Sequence, residues 1–270
     1  TLRFLAWPFQ FLGYKGDISQ PPAVRALQAL GPAYIKFGQI LSTRPDLVGG
    51  ELATQLRVLQ DKLPPFPTAQ AQKVIAEELE IPVDTLFSAF SEPVAAASIA
   101  QVHRATLAET GQDVAVKVLR PQIGRAFRKD IDAFYLIAWL VEALAPSIRR
   151  LRPREVVAHF EGVVLQELDL RIEAAAAGEF AANTANDDGF EVPQIQWGLS
   201  SRQVMTMSWA KGIPLGDVAA IDAAGLDRRA LGARVLQMFL RHALRDGYFH
   251  ADMHQGNLKV SPIVDIVALD

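Results

Sequence analysis

Apolar residues recur at three- and four-residue intervals through the first ninety positions, the spacing of amphipathic helices. Pro22 opens one such segment, with Val24, Leu27 and Leu30 on its apolar side. After Gly31 and Pro32 a second runs through Tyr34, Ile35, Phe37, Ile40 and Leu41. Helices are also predicted over 51–60 and 68–79, the latter capped by Thr68 and preceded by a rigid connector at Pro64, Pro65, Phe66 and Pro67. From Phe87 the period shortens. Residues 87–90, 99–107 and 114–119 read as strands, the last two joined by a turn around Gly111. Long helices are then predicted over about 121–145 and 153–181, strand-like runs over 194–197 and 203–207, and a helix over about 227–246. The chain closes in a hairpin, with 258–260 going out, Ser261 and Pro262 turning, and 263–269 returning.

Composition narrows the classes. With 270 residues, half of them apolar, the chain can bury a sizeable core in one large domain or two lobes. A net charge of -3 gives no electrostatic footprint for nucleic acid, which is excluded as a partner. The absence of cysteine removes disulfides, thiolate metal sites and cysteine nucleophiles. Ala133–Val141 is the most apolar stretch, but Asp132 and Glu142 bound it far short of the ~20 residues a span needs, so it reads as a buried helix. The aromatic-rich start, Phe4 to Leu12, suits either a membrane interface or packing on the body of the protein. The chain opens without Met and stops on Asp270 at a strand end, which suggests a fragment.

The closing hairpin carries the strongest chemistry. Asp252 is followed by Asn257 five residues later and by Asp270 thirteen after that, the spacing of a protein-kinase catalytic site. There the first Asp faces the attacking group, and the Asn and second Asp offer oxygens to magnesium. A rival reading takes His250, Asp252 and His254 as a zinc clamp, but Asn257 and Asp270 have no role in a zinc hydrolase. Upstream, Val114, Ala115, Val116 and Lys117 match the V-A-x-K strand whose lysine neutralises nucleotide phosphates, although a lysine alternating with valines also suits a half-exposed strand. About twenty residues before it, a small-residue turn at Pro93 to Ser98 takes the place of a glycine-rich phosphate loop. It holds Ala95, Ala96, Ala97 and Ser98, and alanine lacks part of glycine's conformational freedom, so the grip on phosphate should be altered. Glu167 and Glu173 lie about 240° apart on a continuous helix, implying two separate cationic partners, although a solvated charged face with Asp169 and Glu173 at i, i+4 also suits the spacing. Met205 to Gly212 matches a hinge, whose methionine side chains suit an adenine slot or ordinary core. Lys36, Gln39 and Thr43 share one helical face, where a polar cluster or a merely solvated face can form.

Together these residues resemble the UbiB family of atypical, protein-kinase-like proteins, which is linked to ubiquinone biosynthesis. The resemblance rests on Lys36-Phe37-Gly38-Gln39 as a K-x-G-Q motif, then Ser42, Arg44, Pro45 and Asp46. It rests further on the alanine turn 95–98, on Glu167 and Asp169 as an E-x-D pair, and on the loop from His250 to Asn257. Gln255 stands where many relatives carry proline, which alters turn rigidity but no proposed ligand. The resemblance implies an α+β, protein-kinase-like bilobal fold with an N-terminal helical extension over 1–85, a small lobe with inserted helices over 86–210, and the start of a large lobe over 211–270, cut at Asp270. It implies that Lys36 and Gln39 reach into the active site, that Lys117 pairs with Glu167, and that Glu173 helps hold the extension. Asp252 would be the catalytic acid and Asn257 and Asp270 the magnesium ligands. Ala95, Ala96, Ala97, Ser98, Lys117, Met207 and Ala210 would bind nucleotide.

The implied cofactors are ATP and Mg2+, and the implied activity is an ATPase or small-molecule kinase. The implied partners are isoprenoid or phenolic lipid intermediates, enzymes of ubiquinone biosynthesis, a membrane surface and a second copy of the chain. The place implied is the cytoplasmic face of a bacterial inner membrane, with anchoring helices beyond Asp270. A nucleotide-gated scaffold or lipid-binding pseudokinase is the alternative. Direct oxygenation, suggested by older names for a 2-polyprenylphenol 6-hydroxylase component, finds no dinucleotide fingerprint and no iron site in the sequence.

Overall fold

Proline starts the first helices. Its fixed φ suits an opening turn, where its missing N–H would have no partner in any case. Thus α1 (Pro22–Leu30), α2 (Pro32–Ser42) and α3 (Pro45–Val48) each begin on one. The structure, a computed structural model, describes residues 20–59, 64–251, 253–261, 263 and 265–269, with backbone alone at 146–148. The interface expectation for Phe4 to Leu12 therefore lies outside the described residues.

After α4 (Gly50–Leu56), α5 (Thr68–Leu79) and α6 (Val83–Leu86) come strands β1 (Phe87–Ala96), β2 (Ala100–Leu107) and β3 (Asp113–Leu119). Helix α7 (Ile123–Leu144), a 3-10 segment (Pro146–Leu151), α8 (Pro153–Glu167) and α9 (Leu170–Thr184) follow. The chain then runs through β4 (Phe190–Glu191), β5 (Val204–Ser208), β6 (Ile213–Pro214), α10 (Val218–Ala223), α11 (Arg228–Arg241), β7 (Leu258–Val260) and β8 (Ile266–Ala268). The fold is α+β. It divides into two compact units, one drawing on residues up to Ala71, Ala95–Gln101 and Leu119–Leu168, the other on Gln72–Val94, Val102–Val118 and the chain from Asp169 onward.

The first unit is helical. Val24, Ile35, Leu56 and Leu59 form one buried cluster, and Phe37 stacks on Phe134 at 4.7 Å and meets Phe160 edge-on at 5.2 Å. The Gln101 side chain, 1% exposed, binds both the N–H and the C=O of Phe66, which pins the proline-rich connector. Helix α7 corrects the expectation of a buried helix. Phe127, Ile131, Phe134 and Ala138 are buried, while Leu136, Ile137, Trp139, Leu140 and Leu144 are exposed. No helix among the described residues is long and apolar enough to cross a membrane.

The second unit carries two four-stranded sheets, ordered β1-β2-β3-β5 and β4-β8-β7-β6. In the first, β3 and β5 run antiparallel with Lys117 opposite Met205; Val114, Val116 and Val118 face a buried side and Lys117 the other. In the second, β7 and β8 form the closing hairpin, with Leu258 opposite Ala268, and β4 joins β8 in parallel. Under it lie Phe180, Phe190, Ile221, Leu231, Met238 and Ile266. Gly212 must be glycine: its φ is +128°, and a Cβ there would sit 2.3 Å from the Val260 carbonyl oxygen.

Three further expectations change. Ala95 and Ala96 belong to strand β1, so only 97–99 form the turn. The helix expected over 153–181 is two helices, because Asp169 adopts extended backbone angles and its carboxylate accepts the Arg171 N–H as the cap of α9. The helix expected over 227–246 is α-helical only to Arg241, then makes a π turn at His242–Asp246.

Candidate active site

An apolar cavity of about 280 Å³ opens in the second unit, near the lower end of the ~300–1,000 Å³ usual for small-molecule sites. Met205 and Met207 of β5 form one wall, Ala268 and Leu269 of the closing hairpin another, and Phe180, Tyr248 and His250 close it further. Its wall also holds one charged group, Glu173. This carboxylate meets Lys117 Nζ at 2.6 Å, and both side chains are largely buried. Glu173 is the member of the pair that lines the cavity, and a charge-assisted bond this short fixes the position of the Lys117 ammonium.

The hinge expectation divides. Met207 lines the cavity, whereas Ala210 does not; its carbonyl accepts from Lys259 Nζ at 3.0 Å. Trp209, between them, lies 5.2 Å from both the Lys259 ammonium and the Arg104 guanidinium. Burial lowers the Lys259 pKa from its usual value.

Asn257 sits where the loop enters β7. Its N–H donates to the His254 carbonyl, and its carbonyl accepts from the Leu269 N–H, each at 2.9 Å. The hairpin thus sets Asn257 beside the residue that precedes Asp270. Asp252 and Asp270 themselves lie outside the described residues. His254 Nδ1 accepts the Gly256 N–H at 2.9 Å, and a Cβ at Gly256 would strike that ring at 2.8 Å.

The sequence reading missed what orients this loop. Asp187, 8% exposed, accepts from His242 Nε2 at 3.0 Å and from Arg245 at 2.6 and 2.9 Å. Both partners lie in the π turn immediately before Tyr248 and His250. The His242 ring is fully buried, edge-on to Phe180 and Phe190. A His eight residues before the loop was the available signal, but nothing nearby in sequence points to Asp187. The Arg245 guanidinium, then the His242 ring, hold the Asp187 carboxyl below the usual carboxylate range. A depressed carboxyl stabilises the fold above its unfolded pKa of about 3.9 and loses that effect as pH falls through the folded value. Asp187→Asn is therefore expected to lower the urea midpoint most near pH 7, with the difference from the parent shrinking below about pH 4.

In the first unit, Lys36 Nζ meets Glu167 at 2.7 Å, and the Gln39 amide reaches the Leu59 carbonyl at 3.4 Å. This exchanges the pairing implied by the resemblance: Lys117 holds Glu173, and Glu167 holds Lys36. The two separate cationic partners inferred from spacing are present, although the continuous helix behind that arithmetic is broken at Asp169. Gly38 packs where a Cβ would lie 2.4 Å from Leu59 and 2.7 Å from Leu27, so it serves close helix packing. In the alanine turn, the Ala97 carbonyl accepts twice from the Arg120 guanidinium, at 3.2 and 3.0 Å. Ser98 Oγ is fully buried and has no hydrogen-bond partner among the described residues.

Comparison with known proteins fits this arrangement. Residues 58–270 match the ABC1 atypical kinase-like domain. The chain belongs to that family. This ABC1 chain is 45% identical over 236 residues to the probable protein kinase UbiB of Marinobacter nauticus, and 46% identical over 237 residues to that of Erwinia tasmaniensis. Each alignment takes in 87% of the chain, which spans less than half the length of these relatives, 43% and 44%. Among solved structures, the Rv3197–erythromycin complex from Mycobacterium tuberculosis superposes with a TM-score of 0.63 at 28% identity, covering 89% of this chain and 60% of that one. The fold is accordingly kinase-like, and the UbiB resemblance drawn from the motifs agrees with the relatives found.

Proposed function

We propose that this ABC1 chain is the nucleotide-handling part of a magnesium-dependent ATPase or small-molecule kinase that supports ubiquinone biosynthesis, working with isoprenoid or phenolic lipid intermediates. The observation that carries the reading is the Lys117–Glu173 pair, whose carboxylate residue lines the apolar cavity. Met205, Met207 and Ala268 offer flat apolar surface to an adenine ring, and Lys117 offers its charge to the phosphates. Glu173 keeps that lysine oriented. The buried Ser98 hydroxyl and the Arg120-braced alanine turn are suited to an altered phosphate loop.

Asn257 and Asp270 are assigned as the ligands of the ion, because an amide oxygen and a carboxylate are hard donors of the kind that fit Mg2+. Bound there, the ion would neutralise charge on the phosphates. Asp252, in the same loop, is assigned to orient the attacking hydroxyl or water. ATP hydrolysis by the purified chain and by a longer form is the test. Asp252→Asn and Asp270→Asn are each expected to reduce turnover by roughly 10²-fold or more; unchanged turnover in both would end the reading.

A second reading, a nucleotide-gated scaffold, draws on the alanine turn, whose carbonyl is already engaged by Arg120. Calorimetric ATP binding without hydrolysis, even with lipid added, would favour it.

A further inference from the structure

Leu258 and Val260 of β7 enter the core beneath the closing hairpin, so Lys259 between them emerges on the opposite face of the strand. Its cross-strand neighbour is Val267, the residue before Ala268 of the cavity wall. Its Nζ donates at 3.0 Å to the carbonyl of Ala210, three residues beyond Met207 of the other wall. The ammonium also lies 5.2 Å from the centre of the Trp209 ring. No carboxylate among the described residues pairs with it. Asp113, whose carbonyl accepts the Trp209 N–H, has its carboxylate held by Arg104 and Thr106.

These contacts give the segment expected to meet a nucleotide base a one-sided hydrogen-bonding character. An ammonium has three N–H donors and no acceptor. The Ala210 carbonyl takes one donor of Lys259 and the Trp209 ring draws a second, which leaves one for a ligand. The Ala210 N–H has no partner among the described residues, whereas its carbonyl is already engaged. Position 210 therefore offers two donors, its own N–H and the ammonium bound to it, beside an occupied acceptor. Purines differ on the edge that would meet such a pair. Guanine and hypoxanthine present two adjacent acceptors, O6 and N7, whereas adenine presents the N7 acceptor next to the donor N6 amine. Two donors match the first edge and set donor against donor on the second.

We infer that Lys259 sets the base preference of the nucleotide site, so that the site takes 6-oxopurine nucleotides, guanosine or inosine triphosphate, at least as well as ATP. The inference rests on the nucleotide-handling reading proposed above and narrows it to a substrate class. The apolar walls at Met205, Met207 and Ala268 receive the face of any purine alike, which leaves the choice to the polar edge. A lysine that served packing alone would be replaceable by methionine with no change in selectivity.

The test is calorimetry of the 270-residue chain with Mg2+ and non-hydrolysable analogues of ATP, GTP and ITP. The GTP and ITP analogues are expected to bind the parent at least as tightly as the ATP analogue. In Lys259→Met the ratio of GTP to ATP affinity should fall roughly tenfold or more. The ratio of ITP to ATP should fall with it, because inosine keeps O6 and N7 and lacks only the 2-amino group. Lys259→Arg keeps donors for that edge and should keep the parent's ratios. Each ratio is taken within one variant, so a general weakening of the fold does not mimic the effect. An equal loss for all three nucleotides in Lys259→Met overturns the inference, since the ammonium would then meet phosphate. A parent that binds the GTP analogue well and the ITP analogue poorly also overturns it, because recognition would then rest on the 2-amino group. So does a parent that binds the ATP analogue tenfold tighter than the other two, a result under which the ATP reading itself stands. Failure of all three to bind ends both the inference and the reading beneath it.

Discussion

Replacing Glu173 by Gln is expected to reproduce most of the loss of ATP turnover caused by Lys117→Met, roughly 10²-fold in kcat/KM, whereas Glu167→Gln should leave Lys117 in place. The reason is the observed pairing. Lys117 Nζ and the Glu173 carboxylate lie 2.6 Å apart with both groups largely shielded from water, where a charge-assisted bond is worth about 1.5–3 kcal/mol. Without the carboxylate the ammonium is free to swing away from a phosphate, and a misplacement of about 1 Å can cost on the order of 10²-fold. Glu167 holds Lys36 instead, so Glu167→Gln and Lys36→Ala should form one matched pair of phenotypes and Glu173→Gln and Lys117→Met another. Steady-state kinetics on the four variants, with the Lys117→Met/Glu173→Gln double variant to close the cycle, decides the matter. If Glu167→Gln behaves like Lys117→Met, the pairing is wrong.

The second large effect falls on stability. Gly38→Val should destabilise the chain by about 3 kcal/mol, because a side chain at this position meets Leu59 and Leu27 at distances no Cβ tolerates. Both neighbours can shift somewhat, but they belong to a buried cluster with Val24, Ile35 and Leu56 that has little room to yield. A drop of several degrees in the melting midpoint is expected. Leu59→Ala combined with Gly38→Val should recover part of it, which a purely chemical role for the glycine would not predict. The glycine of the K-x-G-Q motif is thereby explained by packing, while its lysine is explained by Glu167.

Periodicity made α1, α2, α5 and the strands β3 and β7 legible, because each has one face buried and one exposed and begins at a recognisable stop or cap. It failed where a local interaction overrode the pattern. Asp169 reads in the sequence as half of an E-x-D pair within a helix expected over 153–181; its carboxylate on the Arg171 N–H makes it a cap and splits the helix. Ile137 and Trp139 were read as buried because the stretch is uniformly apolar, and uniform apolarity carries no information about which side faces the core. The candidate site shows the same division. Lys117, Met207 and Asn257 are candidates from spacing, since spacing along a strand or hairpin fixes where a residue falls in the ladder. The partner of Lys117 was not, because two acids six positions apart are distinguished by tertiary contacts alone. Asp187 was invisible for the same reason, fifty-five positions from the histidine it holds.

The π turn at His242–Asp246 has a consequence of its own. Such a turn accommodates one residue more than an α-helix needs, and the backbone downstream is rotated accordingly by roughly 100°. Tyr248, Phe249 and His250 therefore reach the cavity through the number of residues before them as much as through their identity. A single deletion within 242–246, leaving every cavity-lining side chain intact, would turn this stretch toward solvent and open the cavity floor.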